Sequence, residues 1–319
     1  NVKIYGGFAG TETQLSQRNW TSNTTILSGD LGTLGSTADN AYHVVISAGS
    51  VGTAELNGFT ITGGYSAGSS FISVNGSNTV NQNNGGGVFC ANSSPTLNNL
   101  VITNNTSINK GGGAYFTGSN PSVSVVTFSS NSSVEGGGLY NTSASPSISN
   151  SFFCSNTATN GAGIYNKTSS PTLTGDSIYS NVAATSGGGI YNDSSSPSIS
   201  NVSIYSNTVT SYYGGGIYNE SSSPTITNAR IHNNSASNAS NGNGGGVYNL
   251  SSSPSITNSQ IYANSATNGA GLYNSASSPT LTGDSIFSNT ATANGGALHN
   301  AASSTATLTN VSIRSNSAN

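Results

Sequence analysis

Three charged residues form the group in this sequence that is best suited to catalysis. Lys167, Asp193 and Glu220 follow a glycine-rich triplet by the same number of residues in three successive repeats. If the repeats stack, these side chains lie about 5 Å apart, which is the carboxylate separation of a retaining glycosidase, and the lysine would tune both acids. The same position is a turn bordered by serine runs, so the alternative interpretation is solvated surface decoration.

A column of aromatic residues precedes these charges by two positions in every repeat. Its neighbours on both sides are expected to point into a core, so the rings are predicted to face outward. Such a stripe can bind sugars, a protein partner or a second copy of the chain, or can stiffen a sheet by self-stacking. The candidate binding residues are Tyr140, Tyr165, Tyr191, Tyr218, Tyr248 and Tyr273, with Tyr212 and Tyr213 from an adjacent insert.

The remaining reactive side chains do not form a second catalytic group. Asp176 and Asp284 share the motif LTGDSI but lie four repeats apart, about 19 Å at the usual strand spacing, and cannot act on one bond. Cys90 and Cys154 are predicted to be free, inert thiols. No calcium nonapeptide, Cys/His metal set, phosphate loop or Ser–His–Asp pattern is present in the sequence, so we expect neither a metal nor a cofactor.

Two further columns face outward by the same reasoning. The shorter aromatic column consists of Tyr179, Tyr205, His232, Tyr262 and Phe287. Alternating Ser and Thr residues, such as Thr225 and Thr227, form ranks that resemble those of ice-binding proteins, although about half of the ranks are Ser, which lacks the methyl group.

Composition excludes several classes of function. Only 5% of the 319 residues are charged, and six basic residues at a net charge of −3 cannot form a phosphate-binding stripe, so nucleic acid is not an expected partner. No apolar run approaches the roughly 18 residues of a membrane span.

Nine glycine-rich triplets define the repeat. They begin at Gly85, Gly111, Gly136, Gly161, Gly187, Gly214, Gly244, Gly269 and Gly295. If the first glycine is position zero, all eight prolines of the chain lie at position ten. Positions 3, 12 and 17 are apolar, and position 20 is Asn in the first eight repeats. Length varies only between position 20 and the next triplet, as in the inserts at 210–213 and 235–243, where specificity usually accumulates in a solenoid.

Each repeat therefore predicts three short strands, and one coil cannot bury its apolar face alone. Stacking the coils at about 4.8 Å gives an all-β fold, a right-handed single-stranded parallel β-helix with about 25 residues and three strands per coil. The Asn at position 20 is predicted to take left-handed dihedrals at a corner and to stack along the axis. Asn at position 5 is predicted to form a second column.

The chain is predicted to divide into three parts of one continuous solenoid. Residues 1–64 form an N-terminal cap and irregular first coils, residues 65–84 a Ser/Asn/Gly-rich insertion, and residues 85–319 nine regular coils. Thr11 to Gln14 are predicted to begin a short capping helix, and Trp20 to cover the end of the core. Because the sequence lacks Met and begins within a strand pattern, we expect a mature or excised piece.

The repeat GGGIYN…SSSPTITN…IYSN and the lead-in KIYGGFAGTETQLSQRNW resemble large secreted, surface-anchored bacterial proteins with right-handed β-helix repeats. The chain is also similar to the repeats of chlamydial polymorphic outer-membrane proteins, with GGAL at 295–298 and FCSN at 153–156 as the matching motifs, although most coils have GGG and IxxN. The resemblance covers nearly the whole chain. It implies an exported protein associated with the bacterial cell surface and carries over no catalytic residue.

The predicted function is an extracellular or cell-surface structural or adhesive β-helix without catalytic activity, partnered by another surface or by itself through end-to-end or lateral packing. The alternative is a polysaccharide-binding or polysaccharide-degrading protein, because polysaccharide lyases and polygalacturonases share the β-helix. Ice binding is the third candidate function.

Overall fold

The computed structural model describes residues 1–76, 78–236 and 241–319. Within these ranges the chain is a parallel β-solenoid whose coils each contribute strands to three sheets. Part of the predicted insert at 235–243 lies outside the described residues. A residue pairs with the residue at the same position of the next coil, so that Tyr165 faces Tyr191, which confirms the predicted parallel β-helix.

The first sheet carries positions 3 to 6. Its strands are Val45–Ala48, Val88–Ala91, Ala114–Thr117, Leu139–Thr142, Ile164–Lys167, Ile190–Asp193, Ile217–Glu220, Val247–Leu250, Leu272–Ser275 and Leu298–Ala301. Side chains at positions 3 and 5 point into the core, and those at positions 4 and 6 form the outer face.

The second sheet contains two strands per regular coil, at positions 11–13 and 16–18, which fuse in the first two regular coils. Its strands are Lys3–Tyr5, Thr25–Ser28, Glu55–Asn57, Phe59–Thr62, Thr96–Thr103, Ser122–Ser129, Ser147–Ser149, Phe152–Cys154, Thr172–Thr174, Ser177–Tyr179, Ser198–Ser200, Ser203–Tyr205, Thr225–Thr227, Arg230–His232, Ser255–Thr257, Gln260–Tyr262, Thr280–Thr282, Ser285–Phe287, Thr307–Thr309 and Ser312–Arg314.

The third sheet follows position 20. Its strands are Tyr65–Ser66, Thr106–Ser107, Ser132–Glu135, Thr157–Asn160, Val182–Ser186, Thr208–Val209, Ser235–Ala236, Ser265–Asn268, Thr290–Asn294 and Ser317–Ala318. The strands Phe71–Val74 and Asn78–Asn81 form an antiparallel hairpin within the predicted insertion. Val80 of this hairpin packs on Phe89 and covers the outer face of the first sheet.

The core is a continuous column of aliphatic side chains, with position 3 of the first sheet facing positions 12 and 17 of the second. In the middle coils these residues are completely buried, as Ile190, Ile226 and Ile231 illustrate. Since no single coil could exclude water from both ends of its own apolar cluster, stacking provides most of the burial.

Amide ladders run parallel to this core. Asn166 Nδ2 donates to Asn192 Oδ1 of the next coil at 2.9 Å, and the other contacts at position 5 from Asn141 onward are equivalent. At position 20, Asn181 Nδ2 donates both to Asn207 Oδ1 and to the carbonyl of Phe153. Both predicted columns are therefore confirmed, and each satisfies polar groups that the core would otherwise leave unpaired.

The expected backbone role of the Asn at position 20 was wrong. Left-handed dihedrals occur one residue earlier, as at Asn104 and Ser180, and again near positions 7 and 14. The position-20 amide instead turns inward, where Asn181 is completely buried. The inward amide needs a side chain that both donates and accepts, and the corner before it needs a residue that tolerates positive φ.

The N-terminal lead-in also differs from the prediction. Its helical structure next to Thr11–Gln14 is a single 3-10 turn, Leu15–Gln17, capped by Gln14, and a second turn is Thr37–Asp39. Trp20 is 39% exposed and packs on the Arg18 guanidinium, 4.9 Å from its ring, instead of covering the core. The core end opens there as an apolar cavity of about 320 Å³, lined by residues such as Ile4 and Val45.

Candidate functional site: the tyrosine ladder and its charged border

The tyrosine ladder is a stack of rings at position 4, on the outer face of the first sheet. Neighbouring ring centroids are 4.5–5.5 Å apart along Phe89, Tyr115, Tyr140, Tyr165, Tyr191, Tyr218, Tyr248, Tyr273 and His299. Most pairs are nearly parallel, but the rings of Tyr191 and Tyr218 are inclined by 39°. The stack follows from register, because the strands place equivalent residues directly above one another.

The rings face away from the core as predicted, but most of them are covered. Tyr140 is completely buried, and Tyr165, Tyr218 and Tyr248 are at most 6% exposed. Tyr191 and Tyr273 are half-buried. Each inner ring has both faces against its neighbours, and residues that precede the glycine triplets pass beside the column. Since sugars stack on aromatic faces, the inner rings offer a sugar only their edges.

The predicted charged column is present at position 6. Lys167 pairs in register with Asp193, and Asp193 with Glu220. Lys167 Nζ lies 3.0 Å from Asp193 Oδ2, and this contact raises the pKa of the lysine. The Tyr165 hydroxyl approaches the same carboxylate oxygen at 3.5 Å.

Glu220 receives the hydroxyl of Tyr191, which donates to its Oε2. Burial, and secondarily this hydrogen bond, hold the pKa of Tyr191 far above its ordinary value. Both candidate carboxylates thus accept hydrogen bonds from the ladder. The arrangement can hold the phenols in place.

Two charged residues on the other border were missed by sequence analysis. Lys110 and Glu135 directly precede glycine triplets, form an ion pair at 3.7 Å, and lie beside Tyr140, with Lys110 Nζ 5.1 Å from its ring centroid. The Tyr140 hydroxyl is buried without a hydrogen-bond partner that meets normal geometry. The missed signal was the position before the triplet, which lies next to position 4 once the coil closes.

Tyr212 and Tyr213 connect this ladder to solvent. The insert places the Tyr213 ring 4.5 Å from Tyr248 and 6.2 Å from Tyr218. Tyr212 lies 5.7 Å from Tyr213 and is 42% exposed. Among the candidate binding residues, Tyr212 is therefore the most accessible.

The second aromatic column, at position 18, is more accessible than the tyrosine ladder. Its rings are half-buried and lie 4.6–5.1 Å apart, with interplanar angles of 8° or less. The Arg314 guanidinium covers the last ring, Phe287, at 4.2 Å. Here too the ring faces are covered and the edges face outward.

The other reactive residues lie apart from the ladder. Cys90 and Cys154 are free thiols, and burial raises the pKa of Cys90 to about 12, so it is unreactive. Asp176 and Asp284 are buried at position 15. Over the described ranges, no three His, Cys, Asp or Glu side chains are arranged to hold a metal ion.

A serine ladder at position 8 was also missed. The amide of Ser169 donates to Ser195 Oγ at 2.8 Å, and that hydroxyl donates to the Asp193 carbonyl, also at 2.8 Å. The serine runs interpreted as solvated turns are therefore partly interior structure.

Comparisons with known proteins agree with the repeat geometry. The Chlamydia polymorphic membrane protein repeat matches residues 125–142, a segment that begins at position 14 of one coil and includes the triplet of the next. The chain is a β-helix repeat protein similar to this family. No curated protein sequence matches the chain significantly.

The crystal structure of pectate lyase Pel9A matches this β-helix repeat protein with a TM-score of 0.37 and 14% identity, covering 85% of this chain and 78% of that chain. A similarity of this size supports no inference about activity. In the described ranges, no helix has the length and apolar character needed to cross a membrane.

Proposed function

We propose that this protein is an extracellular, cell-surface β-helix with a structural and adhesive role and without catalytic activity. Its similarity to a repeat of Chlamydia polymorphic membrane proteins supports a surface location. Its low charge and long outer faces of uncharged hydroxyl, amide and aromatic groups suit a rod that contacts other surfaces over an extended area.

The proposal rests on the hydrogen bonds that the two candidate catalytic carboxylates already make. Asp193 accepts hydrogen bonds from Lys167, Tyr165 and Ser194, and Glu220 accepts one from Tyr191. A glycosidase needs one carboxyl group held as an acid and a second free to attack, facing a cleft that holds the sugar. These carboxylates instead border a filled stack of rings.

The competing function is polysaccharide binding or cleavage at the Asp193–Glu220 edge, favoured by the register that places these carboxylates in adjacent coils. A glycan array and turnover assays on the same polysaccharides test it, with wild type compared with Asp193→Asn and Glu220→Gln. Asp176→Asn is the matched control, because that carboxylate is buried in another column. Turnover lost in the first two variants and kept in the third would overturn our proposal.

The adhesive role has its own test. Protein-coated beads should bind a bacterial or host surface, and protein on intact cells should be accessible to antibody and added protease. Binding by coated beads that does not exceed that of albumin-coated beads would contradict adhesion. Electron microscopy tests the proposed self-association, for which long stacks are expected and uniformly single short rods would argue against it.

A further inference from the structure

A continuous path of aromatic rings leads from solvent into the buried part of the tyrosine ladder. It begins at Tyr212, which is 42% exposed, and passes over 5.7 Å to Tyr213. From there it continues over 4.5 Å to Tyr248, and over 5.2 Å from Tyr248 to Tyr218. The Tyr212 and Tyr213 rings are inclined by 50°, and the later pairs are stacked. Rings at these centroid distances are close neighbours, which favours rapid electron exchange.

The path ends at a phenol that has a base in place. Tyr191 lies 4.6 Å from Tyr218, and its hydroxyl donates to Glu220 Oε2. A phenol that loses an electron becomes a strong acid, so oxidation of a half-buried tyrosine such as Tyr191 requires a proton acceptor beside its hydroxyl. Glu220 meets that requirement from its outer border position.

We propose that the tyrosine ladder is a one-electron redox relay. A one-electron oxidant in solution, such as a peroxyl radical or an oxidised metal complex, reacts at Tyr212, and the oxidising equivalent moves inward to Tyr191. It is held there as a neutral phenoxyl radical whose proton has passed to Glu220. This role is separate from the structural and adhesive function.

The step balances without another reactant. The oxidant takes one electron from Tyr212. Electrons then pass outward from Tyr191 through Tyr218, Tyr248 and Tyr213 to Tyr212, so that each of these four acceptor rings ends as the original phenol. The net change breaks the Tyr191 O–H bond and forms an O–H bond on Glu220. Return of one electron from a reductant reverses both changes.

Electrostatics favour this end of the column for the oxidised ring. The carboxylates of Glu135, Asp193 and Glu220 all act on Tyr165, the ring below Tyr191. At Tyr140 the cation of Lys110 and the carboxylate of Glu135 act together, so their effects on positive charge oppose each other. The oxidising equivalent is therefore favoured at Tyr165 and Tyr191, where the neighbouring carboxylates stabilise positive charge.

The test uses photo-oxidation with tris(bipyridyl)ruthenium and persulfate, followed by electron paramagnetic resonance and by assay of dityrosine-linked dimers. Wild type should give a long-lived phenoxyl signal and few dimers. Glu220→Gln keeps a hydrogen-bond acceptor but removes the base, and should shorten the lifetime of the signal about 100-fold. Tyr213→Phe keeps the stacked ring but removes its readily oxidised phenol, and should leave the radical on Tyr212 and increase the dimers.

Tyr205→Phe, in the second aromatic column, is the matched control and should behave like wild type. The relay is overturned if the phenoxyl radical of Glu220→Gln keeps the wild-type lifetime, or if Tyr213→Phe does not increase the yield of dityrosine dimers. It is also overturned if Tyr205→Phe increases that yield as much as Tyr213→Phe does. Circular dichroism of each variant confirms that the coil is intact. All three substitutions change one or a few atoms at partly exposed or bordering positions, so the fold is expected to persist.

Discussion

Corner residues bear the local strain of the coil. Position 14 has a left-handed backbone, and Asn or Gly occupies it in most coils, as at Asn150 and Gly175. Val125 occupies the same corner with φ of 54°, where its branched side chain crowds the following carbonyl. The native fold holds this residue in place through its neighbours in the second sheet.

Replacing Val125 with Asn should therefore stabilise the protein by about 1 kcal/mol, because Asn adopts left-handed dihedrals with less strain. The measurement is the midpoint of denaturant unfolding. Val101→Asn is the control, since Val101 lies in the same sheet without a positive φ and is similarly exposed, at 40% against 48% for Val125. If Val101→Asn stabilised the protein as much as Val125→Asn does, backbone strain would not be the explanation.

Asp176 shows how a charge is accommodated inside the coil. Burial raises its pKa to about 7, against the opposing effect of hydrogen bonds from the amides of Ser151 and Thr174. Asp284 occupies the same position four coils later, and burial raises its pKa as well. Each carboxyl group accepts the amide of a serine in the coil below it, as at Ser151 and Ser259.

The folded state should hold a proton on Asp176 that the unfolded chain has released between about pH 4 and pH 7. Stability is therefore expected to fall as pH rises through that window, by roughly 4 kcal/mol at most, and to level off above it. Asp176→Ser should reduce this fall in stability, because it removes the carboxyl group that titrates. The serine hydroxyl can still accept the hydrogen bond from the Ser151 amide. Denaturant unfolding at a series of pH values from 4 to 8 measures the change in stability.

Adding Asp284→Ser should flatten the profile further, since both carboxyl groups are buried in equivalent places. An unchanged pH dependence in the double variant would exclude these aspartates as its source.

At the scale of elements, the position-5 amide ladder depends on each member having a neighbour on both sides. It begins at Asn141, whose Oδ1 is buried without a partner because Phe116 occupies that position in the preceding coil. Every later amide to Asn274 donates to the coil above and accepts from the coil below. An interior member and the first member should therefore respond differently to removal.

Asn192→Leu should destabilise the protein by about 2–6 kcal/mol, because it leaves the Asn166 amide donor and the Asn219 acceptor buried and unpaired. Asn141→Leu removes one unpaired oxygen and creates another at Asn166, so its effect should be within about 1 kcal/mol of zero. Denaturant unfolding compares the pair. An equal loss of stability in both variants would mean that the amide ladder does not explain the effect of Asn192→Leu.

Sequence predicted these elements because their causes are local and periodic. Alternation placed Ile190 inward and Tyr191 outward, and fixed spacing placed equivalent residues in register. The burial of the tyrosine ladder was not predictable in this way, because Lys110, Glu135 and Tyr213 precede the triplets and reach the rings only after the coil closes. The corner residues were misassigned by one position, because Asn suits both an amide ladder and a left-handed corner.

At the scale of the whole molecule, each coil contacts mainly the coils above and below it. Stability in such a solenoid is approximately a sum over coils and their interfaces. A complete coil should therefore be removable if the columns on both sides of the cut remain in register. Residues 187–213 are such a coil, since their removal joins Ser186 to the triplet at Gly214.

Deleting residues 187–213 should give a folded protein that is shorter by about 4.8 Å and less stable by about 1–4 kcal/mol. Lys167 would then face Glu220, and Tyr165 would stack on Tyr218. Small-angle scattering and thermal unfolding followed by circular dichroism measure the result. Deleting only residues 187–199 removes half of the coil and should prevent folding, and a stable product of that deletion would contradict the model of additive coils.

The side-chain ladders give the rod an electrical direction. At positions 5 and 20 each interior amide donates to the amide oxygen of the next coil, as Asn166 does to Asn192 and Asn181 to Asn207. The position-20 amides also donate to a carbonyl of the preceding coil, as Asn181 does to Phe153. In the serine ladder the donor is a backbone amide, and the bond from Ser169 N–H to Ser195 Oγ points the same way. Backbone dipoles largely cancel within a β-sheet, whereas these aligned side-chain dipoles add. The molecule therefore has a polar axis, and the two directions along that axis are chemically distinct.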